Sequence, residues 1–584
     1  MRRLPKSRGR PTPRGPKRQR GVASVLAAFW LLVAVAALAA IDVGNVFYQR
    51  RVMQSVADMA ANAGAQVVDN ACSRAPATAL GSAGANGFNA SVSGNSITTT
   101  CGRWDSTLYA GPSYYAANAT PSNAVQVTVS ENVPYFFLGA GRTVSATGLA
   151  QAVNMGSFTI GTTTASIDPT VITGLLNSML GTNINSLQIS AVGYQGLAQS
   201  RIQIKDLVTA AGVGTVSQLL ALNVTAAQLA NLMLTALQTT QVANANLSVA
   251  LGALRAVVNA NIPGSQTFAI GAVNGAAGLL QVSLADTQSA LTATISPFDA
   301  LFVAAEIAQA GKSAVNVTTG LNLLGLATAS LQLQVIQPPV LAVGEAGKTP
   351  AGAWRTIATT AQVRLFLNIT LGALPGLPLG LGAPIVSLPV NVYVSPGTAW
   401  LVSTQCLSTQ AASNSVVGVQ TGLANVCIGD APTNPTATTA YSCAPATLVN
   451  VLGLVTIKTA ASFPAVVPAS NAVSLKFDGI VGNADDYQTT NSNQVGGVLA
   501  NALSGFGTQL SAPNGLTVSV LGIQLGLGSV VGQALVTFLV PLLTPIFNAL
   551  DTILDPILQL LGAQVGVSTV HDLSLTCGQS QLQY

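Results

Sequence analysis

The chain has few charged residues beyond its N-terminal end. Residues 1–51 hold 11 of the 23 Lys and Arg residues but only one of the 18 Asp and Glu residues, Asp42. The other 533 residues carry 29 charged side chains and a net charge of −5. That is about 5% of them, whereas an average chain has about 25%. The pI near 8.9 therefore comes from the N-terminal end, and we predict no nucleic acid as a partner.

The sequence also lacks the residues and motifs of common active sites. His571 is the only histidine, and no two cysteines have Cys-x-x-Cys spacing, so a zinc site is not expected. There is no Gly-x-Ser-x-Gly motif, and we expect His571 to be a surface residue rather than part of a triad with its neighbour Asp572. The segment 342–349 ends like a phosphate-binding loop, but Ala342 stands where that motif needs glycine. We predict a protein without enzyme activity or cofactor.

Two acidic stretches are candidates for a metal site, and neither is a complete site. Asp572 to Thr576 matches the start of an integrin-type metal site, but only eight residues remain for the later ligands. Asp478, Asn483 and the pair 485–486 do not follow the spacing of a calcium-binding EF-hand loop. We therefore predict a solvated loop and no metal ion.

One apolar run has the length of a membrane span. Gly21 to Ile41 contains no charge, and as a helix it would be about 31 Å long, matching a hydrocarbon core of about 30 Å. Nine Lys or Arg residues precede it within residues 1–20, which we interpret as a disordered leader. Only Arg50 and Arg51 follow closely, so the sequence predicts a cytoplasmic N-terminus and an exported remainder.

This apolar run, and a second one near the C-terminus, have alternative interpretations. Ala37 to Ala39 offers a signal-peptidase site, but signal sequences have shorter apolar regions, so we favour an uncleaved anchor. A buried helix of a soluble protein does not explain the basic leader. Val530 to Leu550 resembles a second span, yet Pro541 and Pro545 interrupt it, and we interpret it as core helices of the exported domain.

The segment after the span predicts a small module of helix and sheet, residues 42–152. Apolar positions at spacings of three and four continue the helix as an amphipathic one to about Val68. Residues 124–130 alternate strictly, which is typical of a half-buried strand. Within the helix, Ala36, Ala40 and Gly44 form a row of small residues on which another helix could pack.

Residues 153–584 predict a large domain that mixes helices with strand-rich segments. Thr215 and Thr225 each precede a glutamine by three residues, which predicts short helices near 216–222 and 226–239. Ser296-Pro297 is another helix start signal. The alternating segments 361–369 and 390–394 predict strands. The fold class is therefore α+β, with a single N-terminal transmembrane helix.

All six cysteines lie beyond the span, at positions 72, 101, 406, 427, 443 and 577. An even number in an oxidising compartment favours disulfides, although fifteen pairings are possible. We favour the nearest-neighbour pairs Cys72–Cys101 and Cys427–Cys443. The alternative is buried thiols.

The order of motifs in Arg20 to Val68 is specific. It runs Arg-Gly at 20–21, the apolar span, Asp-Val-Gly at 42–44, Arg-Arg at 50–51, Gln54, and Ala-Asp at 57–58. This segment resembles the N-terminal module of the TadG-like proteins of bacterial Tad/Flp pilus-assembly systems. The segments 194–197, 337–344 and 554–558, followed by Cys577, are similar to the C-terminal domain of such proteins. Leu26 stands where prepilin-like relatives have glutamate, which favours a permanent anchor over processing.

The resemblance implies a single-pass inner-membrane protein with a periplasmic α+β domain. Its partners would be the inner membrane and other pilus-assembly proteins, and it would act by binding them without chemistry. Some relatives carry a metal-binding von Willebrand type A domain, for which this chain has no site. The alternatives are a surface adhesin or matrix protein that uses the span only for export, and a secreted hydrolase.

Overall fold

The structure is a computed structural model that describes residues 20–137, 139–161, 169–182, 189–240, 246–260, 266–272, 277–317, 322–323, 327–371, 386–407, 409–432, 438–490, 505–526, 557–561 and 567–583, with positions 242, 262, 263, 435, 533, 536, 537 and 563. The predicted leader and nearly all of Val530 to Leu550 lie outside these residues. The chain forms two compact units. Unit 1 comprises the described part of Met1–Gly102 with Ala124–Gln151 and Gln581–Tyr584, and unit 2 comprises Arg103–Asn123 and Ala152–Ser580.

The helices begin where the sequence provides caps. They are α1 Arg20–Ala65, α2 Ala75–Ala85, α3 Pro169–Leu180, α4 Ala191–Gln199, α5 Ile204–Ala210, α6 Val216–Leu220, α7 Ala226–Thr239, α8 Leu247–Asn259 and α9 Pro297–Gln309. Residues 505–510 and 557–560 are also helical. Thr215, Thr225 and Ser296 each accept a hydrogen bond from the backbone N–H three residues later, which confirms the predicted starts of α6, α7 and α9.

The strands include the three alternating segments, which lie in β3, β15 and β16. They are β1 Ser96–Trp104, β2 Tyr115–Ala117, β3 Ala124–Val133, β4 Arg142–Ile160, β5 Ile202–Gln203, β6 Asn223–Val224, β7 Phe268–Gly271, β8 Gly278–Ser283, β9 Thr294–Ile295, β10 Val315–Val317, β11 Asn322–Leu323, β12 Ala327–Gln337, β13 Leu341–Glu345, β14 Ile357–Thr359, β15 Gln362–Leu371, β16 Val386–Val394, β17 Thr398–Gln405, β18 Asn414–Gln420, β19 Ala424–Ile428, β20 Thr447–Val451, β21 Val455–Thr459, β22 Phe463–Val467, β23 Val473–Asp478, β24 Tyr487–Thr490, β25 Leu516–Val520, β26 Ile523–Leu525 and β27 Ser568–Leu582. This mixture confirms the α+β class.

Unit 1 packs the second half of α1 against α2 and an antiparallel sheet. In that sheet β3 lies between β1 and the first part of β4. The alternating valines of β3 are buried, as their spacing predicted. A Cβ at Gly148 of β4 would lie 2.5 Å from the carbonyl oxygen of Ala57, so only glycine lets the strand approach the helix backbone here. The helix ends at Ala65, three residues before the predicted end.

Unit 2 contains a mixed sheet, several antiparallel sheets and a shared apolar core. Strand β13 pairs antiparallel with the second part of β4 and parallel with β8, which in turn is parallel to β7. Further sheets follow the orders β10-β12-β15-β16-β19-β22, β14-β17-β18-β23 and β20-β21-β25-β26. One apolar core lies between the sheet β10-β12-β15-β16-β19-β22 and five helices, α3, α4, α7, α8 and α9. Helix α9 is buried along nearly its whole length.

All six cysteines form disulfides, which confirms that the chain is disulfide-bonded. Cys72 is bonded to Cys101 within unit 1, and unit 2 contains Cys406–Cys577 and Cys427–Cys443. The second bond, which the sequence did not single out, joins residues 171 apart, against 29 and 16 for the others. Because loop-closure entropy rises with loop length, this bond should restrict the unfolded chain most.

Candidate functional site

The first half of α1 has no packing partner in the described protein. Every side chain from Gly21 to Leu38 is exposed, including Trp30 at 64% and Leu32 at 70%. Among the described helices, α1 alone is long and apolar enough to cross a membrane, judged by length and composition. The small residues Ala36, Ala40 and Gly44 are exposed along the same stretch. This half of the helix therefore presents an apolar surface to its surroundings.

Asp42 marks the point where α1 begins to pack against the rest of unit 1. Its carboxylate is fully buried, although Ile41 and Val43 beside it are about half exposed. One carboxylate oxygen accepts the backbone N–H of Phe136 at 2.7 Å, and the other accepts that of Phe137 at 3.0 Å. Charged acceptors make strong hydrogen bonds, and both oxygens are used here. The sequence indicated that Asp42 follows the apolar run but not what it binds.

A charged cluster is buried inside unit 2 around His571. His571 lies on β27, and its Nδ1 is 2.7 Å from a carboxylate oxygen of Asp299 in the first turn of α9. Its Nε2 is 2.8 Å from Nη2 of Arg201, which also lies 3.4 Å from a carboxylate oxygen of Asp486. The ring of Tyr487, its cross-strand neighbour on β24, stacks on the imidazole with centroids 4.0 Å apart. The cluster therefore joins the strands β24 and β27, the helix α9, the short 3₁₀ helix Ala484–Asp486 and the loop before β5.

The partners fix the protonation state of His571. A guanidinium can only donate hydrogen bonds, so Nε2 of His571 accepts one from Arg201, and the Nδ1–H of His571 donates one to Asp299. The imidazole is thus neutral, and burial lowers the pKa of His571 below its usual range. Both ring nitrogens are occupied, which leaves neither for a nucleophile or a metal ion. The cluster therefore connects distant secondary-structure elements through hydrogen bonds and an ion pair.

The predicted surface position of His571 is wrong, because the side chain is fully buried. Residues 568–575 of β27 are buried on both faces, so the strand carries its polar residues inside as well. Asp572 follows on the opposite face, where burial raises its pKa well above its usual range. The pair 571–572 therefore does not form one site.

The acidic loop at 478–486 is built by its own hydrogen bonds. A carboxylate oxygen of Asp486 accepts the backbone N–H of Gly482 at 2.7 Å, and Asp485 accepts that of Asp478 at 3.2 Å. The prediction of a solvated loop is wrong for Asp486, which is 4% exposed, and burial raises its pKa to about 6. In the part of the chain that the structure describes, no group of three or more His, Cys, Asp or Glu side chains could hold a metal ion.

A second buried cluster of unit 2 surrounds Arg103. Its guanidinium lies 2.7 Å from a carboxylate oxygen of Glu345 and 3.1 Å from one of Asp105. Asn123 donates to the other oxygen of Glu345 at 3.2 Å. Glu345 belongs to the segment that resembles a phosphate-binding loop, and the residues after Gly347 form a turn instead of the helix such a loop opens. The only sequence signal for either cluster is a rare charge within an apolar stretch.

Two family models match the N-terminal part of the chain. Tad, described as Flp pilus-assembly TadE/G-like, matches residues 21–67, and Tad_C, described as Tad-like Flp pilus-assembly, matches residues 63–150. The first covers α1, and the second covers α2 and the sheet β1-β3-β4. The similarity drawn from residues 194–577 lies beyond both matches and stays a prediction. No curated protein and no solved structure matches the chain. Residues 21–150 of the chain thus carry both Tad-like pilus-assembly domains.

Proposed function

We propose that the chain is an inner-membrane component of a Tad/Flp-type pilus-assembly system and acts through protein–protein interactions in the periplasm. The observation that carries this proposal is the match of two pilus-assembly models that meet within α1. The two matches follow the packing of unit 1, because α2 and the sheet lie against the same helix whose first half is exposed. The helix and its sheet thus act as one family-specific module.

The proposed layout follows the charge and the apolar run. Residues 1–20 are a cytoplasmic leader, 21–41 the membrane anchor, 42–152 a periplasmic module and 153–584 a periplasmic domain. Nine basic residues before the span and two after it favour this orientation. Three disulfides suit an oxidising compartment such as the periplasm.

A binding role without chemistry fits the two buried clusters. The side chains of His571, Arg201 and Arg103 are hydrogen-bonded to other side chains of unit 2, and their burial makes them inaccessible to a substrate. The exposed row Ala36, Ala40 and Gly44 supports association with another membrane helix. We expect the partners to be other proteins of the assembly machinery.

Gene deletion tests the assembly role. We expect the deletion strain to lose surface pili and to recover them when the full chain is supplied. A matched version in which a cleavable signal sequence replaces residues 1–41 should be exported and fail to restore them, because it lacks the anchor. Normal piliation after deletion would contradict the proposal. Normal pili with lost surface adhesion would favour the adhesin alternative.

Protein chemistry tests the anchor and the orientation. We expect protein extracted from membranes to start at Met1 or Arg2 and to need detergent for release. A start at Val22 would indicate processing as a pilin, and one near Ala40 would indicate secretion. Alkaline phosphatase fused after Tyr584 should be active in the periplasm, whereas an inactive fusion would show that the chain recrosses the membrane.

A further inference from the structure

The hairpin of β3 and β4 runs along α1 toward the end of the apolar run. At one end, a Cβ on Gly64 would lie 3.2 Å from Cγ1 of Val125, and at the other, Phe136 is bonded to Asp42. Gly64 to Asp42 covers about 33 Å of helix, and Val125 to Phe136 covers about 36 Å of extended chain. Strand β3 therefore runs antiparallel to α1, and the tip of the hairpin reaches Asp42, the residue that follows Ile41.

Asp42 attaches this tip to the helix. Its carboxylate accepts two consecutive backbone N–H groups, those of Phe136 and Phe137, at 2.7 and 3.0 Å. Burying a carboxylate is costly unless hydrogen bonds replace its water, and these two donors supply them. Because these hydrogen bonds are made to the backbone, they fix the turn without involving the side chains of Phe136 and Phe137.

The rings at this level are exposed. Phe136 is 65% and Phe137 is 53% exposed, and Phe47 and Tyr48 of α1 are each 64% exposed. Phe47 and Tyr48 lie about 8–9 Å beyond Asp42 along the helix axis. The interfacial layer of a bilayer is about 5–7 Å deep on each side of the hydrocarbon core, and aromatic rings concentrate there. If α1 leaves the hydrocarbon core at Ile41, the turn and Phe47 lie at or beside this layer.

We propose that the Phe136–Phe137 turn is a second membrane contact, which enters the interfacial layer of the leaflet that α1 leaves. The occupant of this aromatic surface is lipid, because the exposed Ile41 and Val43 link the exposed apolar half of α1 to Phe47 and Tyr48 on the same helix. Asp42 holds the turn at that depth and so fixes unit 1 to the membrane at two points. The inference rests on the proposed function, since it requires α1 to span the bilayer.

Fluorescence quenching by spin-labelled lipids tests the depth of the turn. The full chain carrying Phe137→Trp in a Trp30→Phe background is reconstituted into vesicles of phosphatidylethanolamine and phosphatidylglycerol. The Trp30→Phe parent gives the signal of the other tryptophans. We expect the introduced indole to be quenched more by a nitroxide near the headgroup than by one near the end of the acyl chain. The matched control is Leu80→Trp, an apolar position on α2 that is 45% exposed against 53% for Phe137, and it should not be quenched.

The wild-type chain separates the two proposals. Trp30 lies about 17 Å inside the span from Ile41, so the deep nitroxide should quench it. If the deep nitroxide fails to quench Trp30, the anchor itself is wrong. If Trp30 is quenched but the indole at position 137 behaves like the control at position 80, the anchor stands and the turn does not contact the membrane.

Asp42 provides the second test. In the Phe137→Trp protein, Asp42→Ala removes the acceptor of both N–H groups. We expect the nitroxide near the headgroup to quench the indole at position 137 less. In a chain that keeps Trp30 and Phe137, the same change should leave Trp30 quenched by the nitroxide near the end of the acyl chain. Asp58→Ala is the matched control, since Asp58 lies on the same helix and its carboxylate accepts a hydrogen bond from Gln54, one helical turn away, at 2.8 Å. Equal quenching in both variants would show that Asp42 does not position the turn.

Discussion

The first half of α1 exposes large apolar side chains, whereas the core of unit 2 buries charged and polar ones. In α1, Trp30 and Leu32 are 64% and 70% exposed, whereas in unit 2 Arg201 is 4% exposed and His571 is fully buried. The difference lies in the partners. The apolar side chains of α1 contact no other described part of the protein, while the buried charges bind one another and the backbone. Exposed apolar residues on a long regular helix therefore suit a lipid environment, and buried charges require complementary groups.

The largest effect is expected from removing one member of the buried cluster. Arg201→Met leaves Asp486 without its cation and Nε2 of His571 without its donor, and breaking such a buried pair costs about 3–5 kcal/mol. We expect the free energy of unfolding of unit 2 to fall by that amount, measured by urea unfolding in detergent with the fluorescence of its tryptophans. Arg255→Met on the exposed face of α8 is the control, with a change within about 0.5 kcal/mol. Equal effects would show that the cluster adds nothing beyond surface charge.

A charge in the exposed half of α1 tests the other side of the comparison. Ala34→Asp places a carboxylate near the middle of the span, at a cost of about 2.5–3.5 kcal/mol for insertion. We expect a large loss of membrane-inserted protein, measured by resistance to alkaline extraction, and no loss with Ala34→Leu. Full insertion of the aspartate variant would mean that this half of the helix does not face lipid.

A smaller effect is expected where α1 passes from exposure to packing. In Gly148→Ala the new methyl group would lie within 2.7 Å of three backbone atoms of α1, at Ala57 and Asp58. Overpacking against backbone costs about 1–3 kcal/mol. We expect faster hydrogen exchange in residues 53–65. Gly81→Ala in α2 meets no atom within 4 Å and should stabilise its helix, so unchanged exchange in both would contradict the close approach.

The smallest effect concerns a buried acid that lacks part of its hydrogen bonding. Glu306 in α9 is 1% exposed, its Oε2 has no hydrogen-bond partner, and burial raises its pKa well above its usual range. The folded protein thus keeps a proton that the unfolded chain loses above pH of about 4.5, so this group makes stability fall as pH rises. We expect Glu306→Met to raise the free energy of unfolding at pH 7 by about 1 kcal/mol.

The pH dependence distinguishes this explanation from a packing effect. The gain from Glu306→Met should shrink as the pH is lowered toward 4, because the wild-type carboxyl is then neutral in both states. A gain that stays constant between pH 4 and pH 7 would show that the methionine only packs better. Urea unfolding at several pH values measures it.

Local patterns predicted the local structure well. Thr215, Thr225 and Ser296 start helices because a cap needs only its own hydroxyl and an N–H three residues away. The strand at 124–130 follows from alternation along the chain itself. The N-terminal family was recognisable because its motifs lie together within one helix. The position of His571 was not predictable, since its two partners come from α9 and from the residue before β5.

The sequence by itself determined an N-terminal apolar helix of membrane-spanning length, an α+β remainder, disulfides and a Tad-like N-terminal part. These depend on composition and on spacings within one element. The tertiary structure alone decided which groups meet: Phe136 lies 94 residues from Asp42, and His571 lies 370 from Arg201. A charged side chain in an apolar stretch needs a partner, but its own neighbours do not specify which distant one. Only the packing of complete elements brings the complementary groups within hydrogen-bonding distance.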